Sequence, residues 1–100
     1  MYYRVIRYNF DPSKYEAMMT HVDGVKDEIR AMSGLTFVHV CQTGDDEAMI
    51  VVQYDSKASA DANEQQALAI LGGIGQFMTS APQRQMGEVI WGLTIKPHQQ

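Results

Sequence analysis

The stretch LTFVHVCQTGDDEAMIVVQY, residues 35–54, decides the fold of this chain of 100 residues. Within it, Thr36–Gln42 and Ala48–Tyr54 each show the period of two that is typical of β-strands. Between them, the Gly and Asp residues of Gly44–Glu47 are the types that tight turns favour. The stretch therefore predicts two antiparallel strands joined as a hairpin.

A helical pattern lies on each outer side of the hairpin. The first pattern begins near Ser13, carries apolar residues at spacings of three and four as far as Met32, and ends before Gly34, which suits the left-handed conformation that follows many helices. The second pattern covers Lys57–Met78, and its larger apolar residues lie in the second half. Because glycine weakens a helix interior, the three glycines within residues 72–75 predict a break or bend there.

Strand-forming residues occupy both ends of the chain. Tyr2–Phe10 predicts the first strand, which stops at Asp11-Pro12, and Glu88–Ile95 predicts the fourth. The order βαββαβ predicts an α+β, ferredoxin-like fold, with a four-stranded antiparallel sheet and two helices on one face. We expect a single domain over residues 1–96 and a polar C-terminal tail at 97–100.

The strand residues divide into two faces. The face expected under the helices contains Ile6, Tyr8, Phe10, Val38, Val40, Ile50, Val52 and Tyr54. The other face contains Tyr3, Val5, Arg7, Asn9, Phe37, His39, Cys41, Met49, Val51 and Gln53. Because two helices cover only one face, and the second face is too apolar to remain in water, we expect a homodimer packed through this sheet face.

Charge and composition restrict the other partners. The net charge of −4 provides no basic surface for nucleic acid or anionic lipid, and no apolar run approaches the roughly 20 residues that span a bilayer. The single cysteine, Cys41, excludes an internal disulfide and fits a cytoplasmic location. A small hydrophobic ligand or a second protein molecule therefore remain as partners.

Several local sequences resemble those of a known group of proteins. They are a strand ending in Asp11-Pro12-Ser13-Lys14, a first helix closing at Met32-Ser33-Gly34, the hairpin, a second helix containing Asp, Ala and Asn, and a final Gly87–Trp91 segment. With this element order, the chain resembles the dimeric α/β-barrel superfamily, in particular the antibiotic-biosynthesis-monooxygenase-like (ABM-like) domains. The resemblance implies a pocket between the helices and the sheet of each subunit, and contact between the sheets of a dimer.

The superfamily includes cofactor-independent oxygenases of polyketide-type aromatic compounds, haem-degrading monooxygenases and small proteins with no assigned activity. The haem-degrading pattern has an asparagine where this chain has Ile6, and a tryptophan and a histidine in the second helical region, which here contains neither. The resemblance therefore disfavours haem degradation. If the protein is an enzyme, the resemblance implies oxygenation without a bound metal or flavin, and we expect no cofactor.

Four residues are candidates for a site in such a pocket. Tyr8 and Tyr54 share the helix-facing side of the sheet and could position an aromatic substrate, or could be core aromatics with hydroxyls at the rim. His21 lies at the border of the first helical stripe and could act as a general base, or could be a solvated side chain. Trp91 could stack on a ligand, or could fill a gap in the core or dimer.

Other clusters favour structural roles. His39 and Cys41 share a strand face, but nothing else in the sequence pairs with them by spacing, so we expect no metal site and a Cys41 buried between sheets. The acidic residues at 45–47 fit a turn, and the glycines at 72–75 fit neither nucleotide-binding motif.

Two functions are compatible with these observations. The first is a cofactor-independent monooxygenase of a hydrophobic aromatic metabolite, with His21 as base and Tyr8, Tyr54 and Trp91 as substrate contacts. The alternative is a non-catalytic ligand-binding or interaction module that uses the same dimer, which the lack of a strong acid/base pair favours.

Overall fold

A computed structural model describes residues 1–95 of the chain. The predicted tail at 97–100 and the last residue of the predicted domain, Lys96, lie outside the described residues. None of the helices in the described part is long and apolar enough to cross a membrane.

The sheet has four antiparallel strands in the order β2-β3-β1-β4. The strands are β1 (Tyr2–Asn9), β2 (Leu35–Gly44), β3 (Glu47–Tyr54) and β4 (Gln83–Glu88). The helices are α1 (Tyr15–Gly24), α2 (Lys26–Arg30), α3 (Lys57–Ala62) and α4 (Glu64–Ile74), with 3₁₀ turns at Pro12–Lys14 and Gly75–Phe77. This arrangement confirms the predicted ferredoxin-like α+β fold.

The hairpin and the end of the first helical layer confirm the local predictions. Gly44 pairs with Glu47 across a turn at residues 45–46. Gly34 has a φ of +83°, the left-handed conformation that glycine adopts without steric cost. Its carbonyl accepts a hydrogen bond of 2.8 Å from the backbone N–H of Asp55, which ties the start of β2 to the end of β3.

Both predicted helices are interrupted at positions that the sequence analysis did not identify. The first is divided at Val25, whose backbone leaves the helical region with φ −104° and ψ 7°. The second is divided at Asn63, whose side-chain amide donates to the carbonyls of Ser33 at 2.8 Å and Ser59 at 2.9 Å. The glycines at 72–75 coincide instead with the end of α4 at Ile74 and the 3₁₀ turn that follows.

The prediction of the fourth strand was wrong in its position. The strand is Gln83–Glu88, and residues 89–95 form an arm without regular secondary structure. The pairing register explains the difference, because Glu88 lies opposite Tyr2, the first residue of β1. Within residues 1–95, a single backbone hydrogen bond, from Val89 N–H to the Met1 carbonyl, extends this pairing. The length of the partner strand therefore outweighs the high β propensity of the residues beyond Glu88.

The side chains of the two faces have different environments. The helices cover the predicted helix-facing residues, and most of these form the buried core, which contains Ile6, Tyr8, Phe10, Ile50, Val52 and Tyr54 together with Met18, Ala48, Ala60 and Ile74. The second face stays half-buried or exposed for most of its residues, and Phe37 stacks on the exposed His39 ring at 4.6 Å between centroids. Cys41 on this face is also exposed. We call this second side the open face.

Candidate functional site

An apolar cavity of about 70 Å³ lies between the helices and the covered face of the sheet. Its walls come from all four strands and from helices α1, α2 and α4. The apolar lining residues include Ile6, Val22, Ile29, Val38, Val40, Ile50, Val52, Leu68, Leu71 and Ile74. The volume is several times the roughly 10–15 Å³ that one water needs. The cavity is the place that the resemblance implied for a pocket.

One end of the cavity is polar because three side chains with hydrogen-bond donors line it: Arg4, Tyr54 and Arg84. Arg4 lies on the same face of β1 as Ile6 and is only 2% exposed. Arg84 of β4 pairs directly opposite Ile6, and directly paired residues share a face of the sheet. The strand register thus brings both arginines under the helices.

Glu64, the first residue of α4, bridges the two arginines. Its Oε2 accepts a hydrogen bond from Arg4 Nη2, and its Oε1 accepts one of 2.8 Å from Arg84 Nη2. A carboxylate in the first turn of a helix is also favoured by the helix dipole. The carboxylate therefore fixes the two guanidinium groups at the same end of the cavity.

Tyr54 completes the group. Its hydroxyl oxygen accepts a hydrogen bond of 3.4 Å from Arg4 Nη1, and the Arg4 guanidinium carbon lies 5.5 Å from the centre of the tyrosine ring. Burial raises the pKa of Tyr54. The positive charge of Arg4 acts in the opposite direction, the negative charge of Glu64 raises the pKa further, and the positive charge of Arg84 lowers it. Burial also raises the pKa of Tyr8. Both tyrosines are therefore neutral phenols near pH 7 and act as hydrogen-bonding groups, not as bases.

The polar end is not fully satisfied by the protein. Arg4 and Arg84 carry two positive charges, whereas Glu64 supplies one negative charge. The Nε atoms of both arginines are buried without a hydrogen-bond partner among residues 1–95. A buried N–H without a partner costs about 1–3 kcal/mol, so this end has both a charge and donors available.

Of the four residues predicted for the site, Tyr54 alone lines the cavity. Tyr8 is 2% exposed and its hydroxyl donates to Met18 Sδ at 3.7 Å, so it lies in the adjoining core. His21 of α1 packs edge-on against Phe77, with ring centres 5.8 Å apart, outside the cavity lining. The roles suggested for these residues stay predictions.

Trp91 lies apart from the cavity. It belongs to the arm after β4, is 78% exposed, and lines a separate open groove with Tyr3 and Phe37 of the open face. The arm leaves β4 on the other side of the sheet from Tyr54, so the two aromatic residues cannot contact one small ligand together in a single subunit.

Sequence reasoning missed the three charged residues at the cavity. Arg4 carried a signal, since it occupies a helix-facing position in the alternation of β1, where an apolar residue is expected. Arg84 carried none, because it precedes the segment that was predicted as the fourth strand. Glu64 is one of several polar residues near the start of the second predicted helix, and its position beside the two arginines depends on the start of α4 after the break at Asn63.

The fold and the cavity define a class, the ferredoxin-like α+β domains with a cavity between helices and sheet. The sequence itself matches no protein-family model and none of the curated proteins. Solved structures do match it.

Three of these structures show the range of similar proteins. A monooxygenase from Streptomyces coelicolor, the product of ActVA-Orf6 in complex with nanaomycin D, has a TM-score of 0.76 at 13% identity and covers 95% of this chain and 92% of its own. A dimeric ferredoxin-like protein from an uncultured marine organism has a TM-score of 0.77 at 15% identity, with the same coverage of 95% and 92%. A Nitrosomonas europaea protein assigned as an antibiotic biosynthesis monooxygenase has a TM-score of 0.75 at 14% identity and covers 91% of this chain and 100% of its own.

These neighbours confirm the predicted resemblance to ABM-like and dimeric ferredoxin-like proteins. Because the identities are low, the likeness concerns the fold.

Proposed function

We propose that this protein is a homodimeric ABM-like oxygenase that binds a hydrophobic aromatic metabolite in the cavity between its helices and sheet. The observation that carries the proposal is the cavity itself, whose apolar walls end in the donors of Arg4, Tyr54 and Arg84. Small-molecule sites combine these two properties, a mostly apolar surface and a few polar groups that fix orientation. The ligand complex of the Streptomyces coelicolor monooxygenase, which has the same fold, supports this choice.

The proposed reaction needs no bound cofactor. The substrate loses a proton from an acidic hydroxyl or methylene group, and the resulting anion gives an electron to dioxygen. In the overall change the substrate loses two hydrogen atoms and gains one oxygen atom, while the second oxygen atom leaves as water. Arg4 and Arg84 would stabilise the anion and so lower the pKa of the substrate.

The proposed proton acceptor is a histidine near the cavity. His21 is the candidate from the sequence, and its ring lies beside the cavity lining instead of in it. It would therefore accept the proton through a water molecule or after movement of the helices.

The substrate also requires the helices to move. The cavity of about 70 Å³ is smaller than the roughly 300 Å³ at which pockets for drug-sized ligands begin. Leu68 and Leu71 of α4 form part of its wall, so an outward shift of α4 would enlarge it.

The open face supports the homodimer. Its half-buried aromatic and aliphatic residues border a groove that the arm also lines, and the arm exposes Ile90, Trp91, Leu93 and Ile95. A second copy packed on this face would bury both groups of side chains. Sedimentation equilibrium at micromolar concentration should show a dimer, and a Trp91→Ser variant should weaken it. A monomer under these conditions would contradict this part of the proposal.

Activity is tested with oxygen uptake and product spectra for a panel of naphthols and anthrones. We expect turnover of at least one compound to a quinone, with kcat lowered by Arg84→Gln and by His21→Asn. The exposed Arg30→Gln variant, which removes the same charge from an ion pair on α2, is the matched control. Binding of panel compounds with no oxygen uptake would exclude the oxygenase activity for this class of substrate.

That outcome would favour the second candidate, a non-catalytic ligand-binding module in the same dimer. The observation that favours it is the chemistry of the lining. Among residues 1–95, the polar side chains that line the cavity are those of Arg4, Arg84 and Tyr54, and neither a histidine nor a carboxylate is among them.

A further inference from the structure

We infer that the polar end of the cavity binds an anionic group, and that the ligand is an apolar aromatic carboxylic acid. The inference rests on the proposed function, since it assumes that the cavity is a ligand site. It adds the chemical class of the ligand and the residues that select it, Arg4 and Arg84.

The first step is the environment of Arg4. Its side chain is 2% exposed, lines the cavity and retains an Nε–H without a partner in the described part of the chain. A buried guanidinium is normally fully hydrogen-bonded, because its donors lose water on burial. A water molecule could accept from this Nε–H, but it would not balance the charge.

The second step is the similar state of Arg84. Its side chain is 24% exposed, one Nη–H bonds Glu64, and its Nε–H is also buried without a partner in the described residues. The Nε–H of an arginine lies on the edge of the guanidinium plane that binds carboxylates in the two-bond geometry. The two arginines therefore keep available the kind of donor that recognises a carboxylate.

The charges at the polar end of the cavity are not balanced. Glu64 neutralises one of the two guanidinium groups, which leaves one positive charge at the end of an apolar cavity, in a chain whose net charge is −4. A carboxylate on the ligand would balance this charge. The aliphatic walls would contact the rest of the molecule, so the structure favours an acid with an apolar body over a polar metabolite.

Benzoate and benzamide test the inference, because they have nearly the same shape and differ in charge. Titrations followed by methyl NMR identify the site, since Ile6, Leu71 and Ile74 line the cavity while Val51 lies on the open face. We expect shifts at the cavity methyl groups with both compounds, and about tenfold tighter binding of benzoate, as charge-assisted hydrogen bonds provide.

Variants then assign the preference to the arginines. Arg84→Gln should remove most of the preference for benzoate and leave benzamide affinity within about twofold, because it removes only the charge-assisted part of binding. Glu64→Gln should increase the preference, since it leaves both guanidinium charges unbalanced. The control Arg30→Gln, on the surface, should leave both affinities unchanged.

Two other outcomes would separate failure of the anionic site from failure of the cavity as a ligand site. Equal binding of benzoate and benzamide at the cavity methyl groups, or a preference that survives Arg84→Gln, would overturn the anionic site and leave the proposed cavity intact. If neither compound shifts the cavity methyl groups, the cavity is not a ligand site, and both the inference and the proposed function fail.

Discussion

The two faces of the sheet begin from similar sequence patterns and end in different environments. On β3, Val52 faces the helices and is 8% exposed, whereas its neighbour Val51 is half-buried on the open face. Alternation assigns each residue to a face, but the connections between strands decide which face the helices cover. The comparison therefore separates residues that stabilise the single chain from residues that the proposed dimer would cover.

The largest expected effect concerns Gly34, which holds the helical layer close to the covered face. Gly34→Ala places a side chain at a φ of +83° and in contact with the Ser59 side chain, whose Cβ is 2.6 Å from the added carbon. We expect a loss of about 3 kcal/mol or more in the free energy of unfolding, measured by urea denaturation. Gly24→Ala, where nothing lies within 4 Å, is the control and should be nearly neutral. A stable Gly34→Ala variant would show that this turn does not position the helices.

The next largest effect is expected from the same substitution at two adjacent residues of β3, one on each face of the sheet. Val52→Ala should lower the free energy of unfolding by about 2 kcal/mol at every protein concentration, because it removes buried methyl groups. Val51→Ala should have a smaller effect on the single chain and weaken the dimer, so its stability should depend on concentration. Equal and concentration-independent losses would remove the distinction between the two faces.

A smaller effect concerns two adjacent glycines in α4. A Cβ at Gly73 would lie 2.8 Å from Nε2 of His21, whereas one at Gly72 meets nothing within 4 Å. Gly72→Ala should therefore raise the free energy of unfolding by about 0.5–1 kcal/mol through helix propensity. Gly73→Ala should gain less or lose stability, and should shift the imidazole NMR signals of His21. Unchanged His21 signals would show that its ring does not pack on this helix.

The smallest effect is a pH dependence on the covered side. Burial raises the pKa of Tyr8 and Tyr54, so above about pH 10 the unfolded chain loses these protons before the folded chain does. Their contribution to stability is fully present below pH 10 and is lost as the pH rises towards their folded-state values. Phenolate absorbance should show two of the five tyrosines titrating late, and urea denaturation should show the loss. Tyr8→Phe and Tyr54→Phe should each reduce this loss of stability at high pH.

Much of the fold could be predicted because it depends on local signals. The hairpin turn at residues 45–46, the left-handed Gly34 and the faces of β1, β2 and β3 all follow from short sequence patterns. The position of β4 could not be predicted, because Gln83–Glu88 is polar and becomes a strand only by pairing with β1. Long-range pairing thus overrode the propensity of the more apolar residues that follow.

The site was less predictable than the fold. Tyr54 was identified because alternation placed an aromatic residue with a polar group on the covered face. The Arg4–Glu64–Arg84 group joins residues from distant parts of the sequence through the pairing of β1 with β4 and the start of α4. Sequence spacing contains no information on such contacts, so the charged end of the cavity appears only in the folded chain.

The cavity has a floor formed by the sheet and a roof formed by the helices. Arg4 and Arg84 belong to the floor, and β1 is hydrogen-bonded on both sides, by β3 and by β4, so its amide protons should exchange slowly with solvent. Glu64 belongs to the roof, as the first residue of α4. In the proposed opening, an outward shift of α4 would carry Glu64 with it, so widening of the cavity would be coupled to weakening of the ion pairs with Arg4 and Arg84.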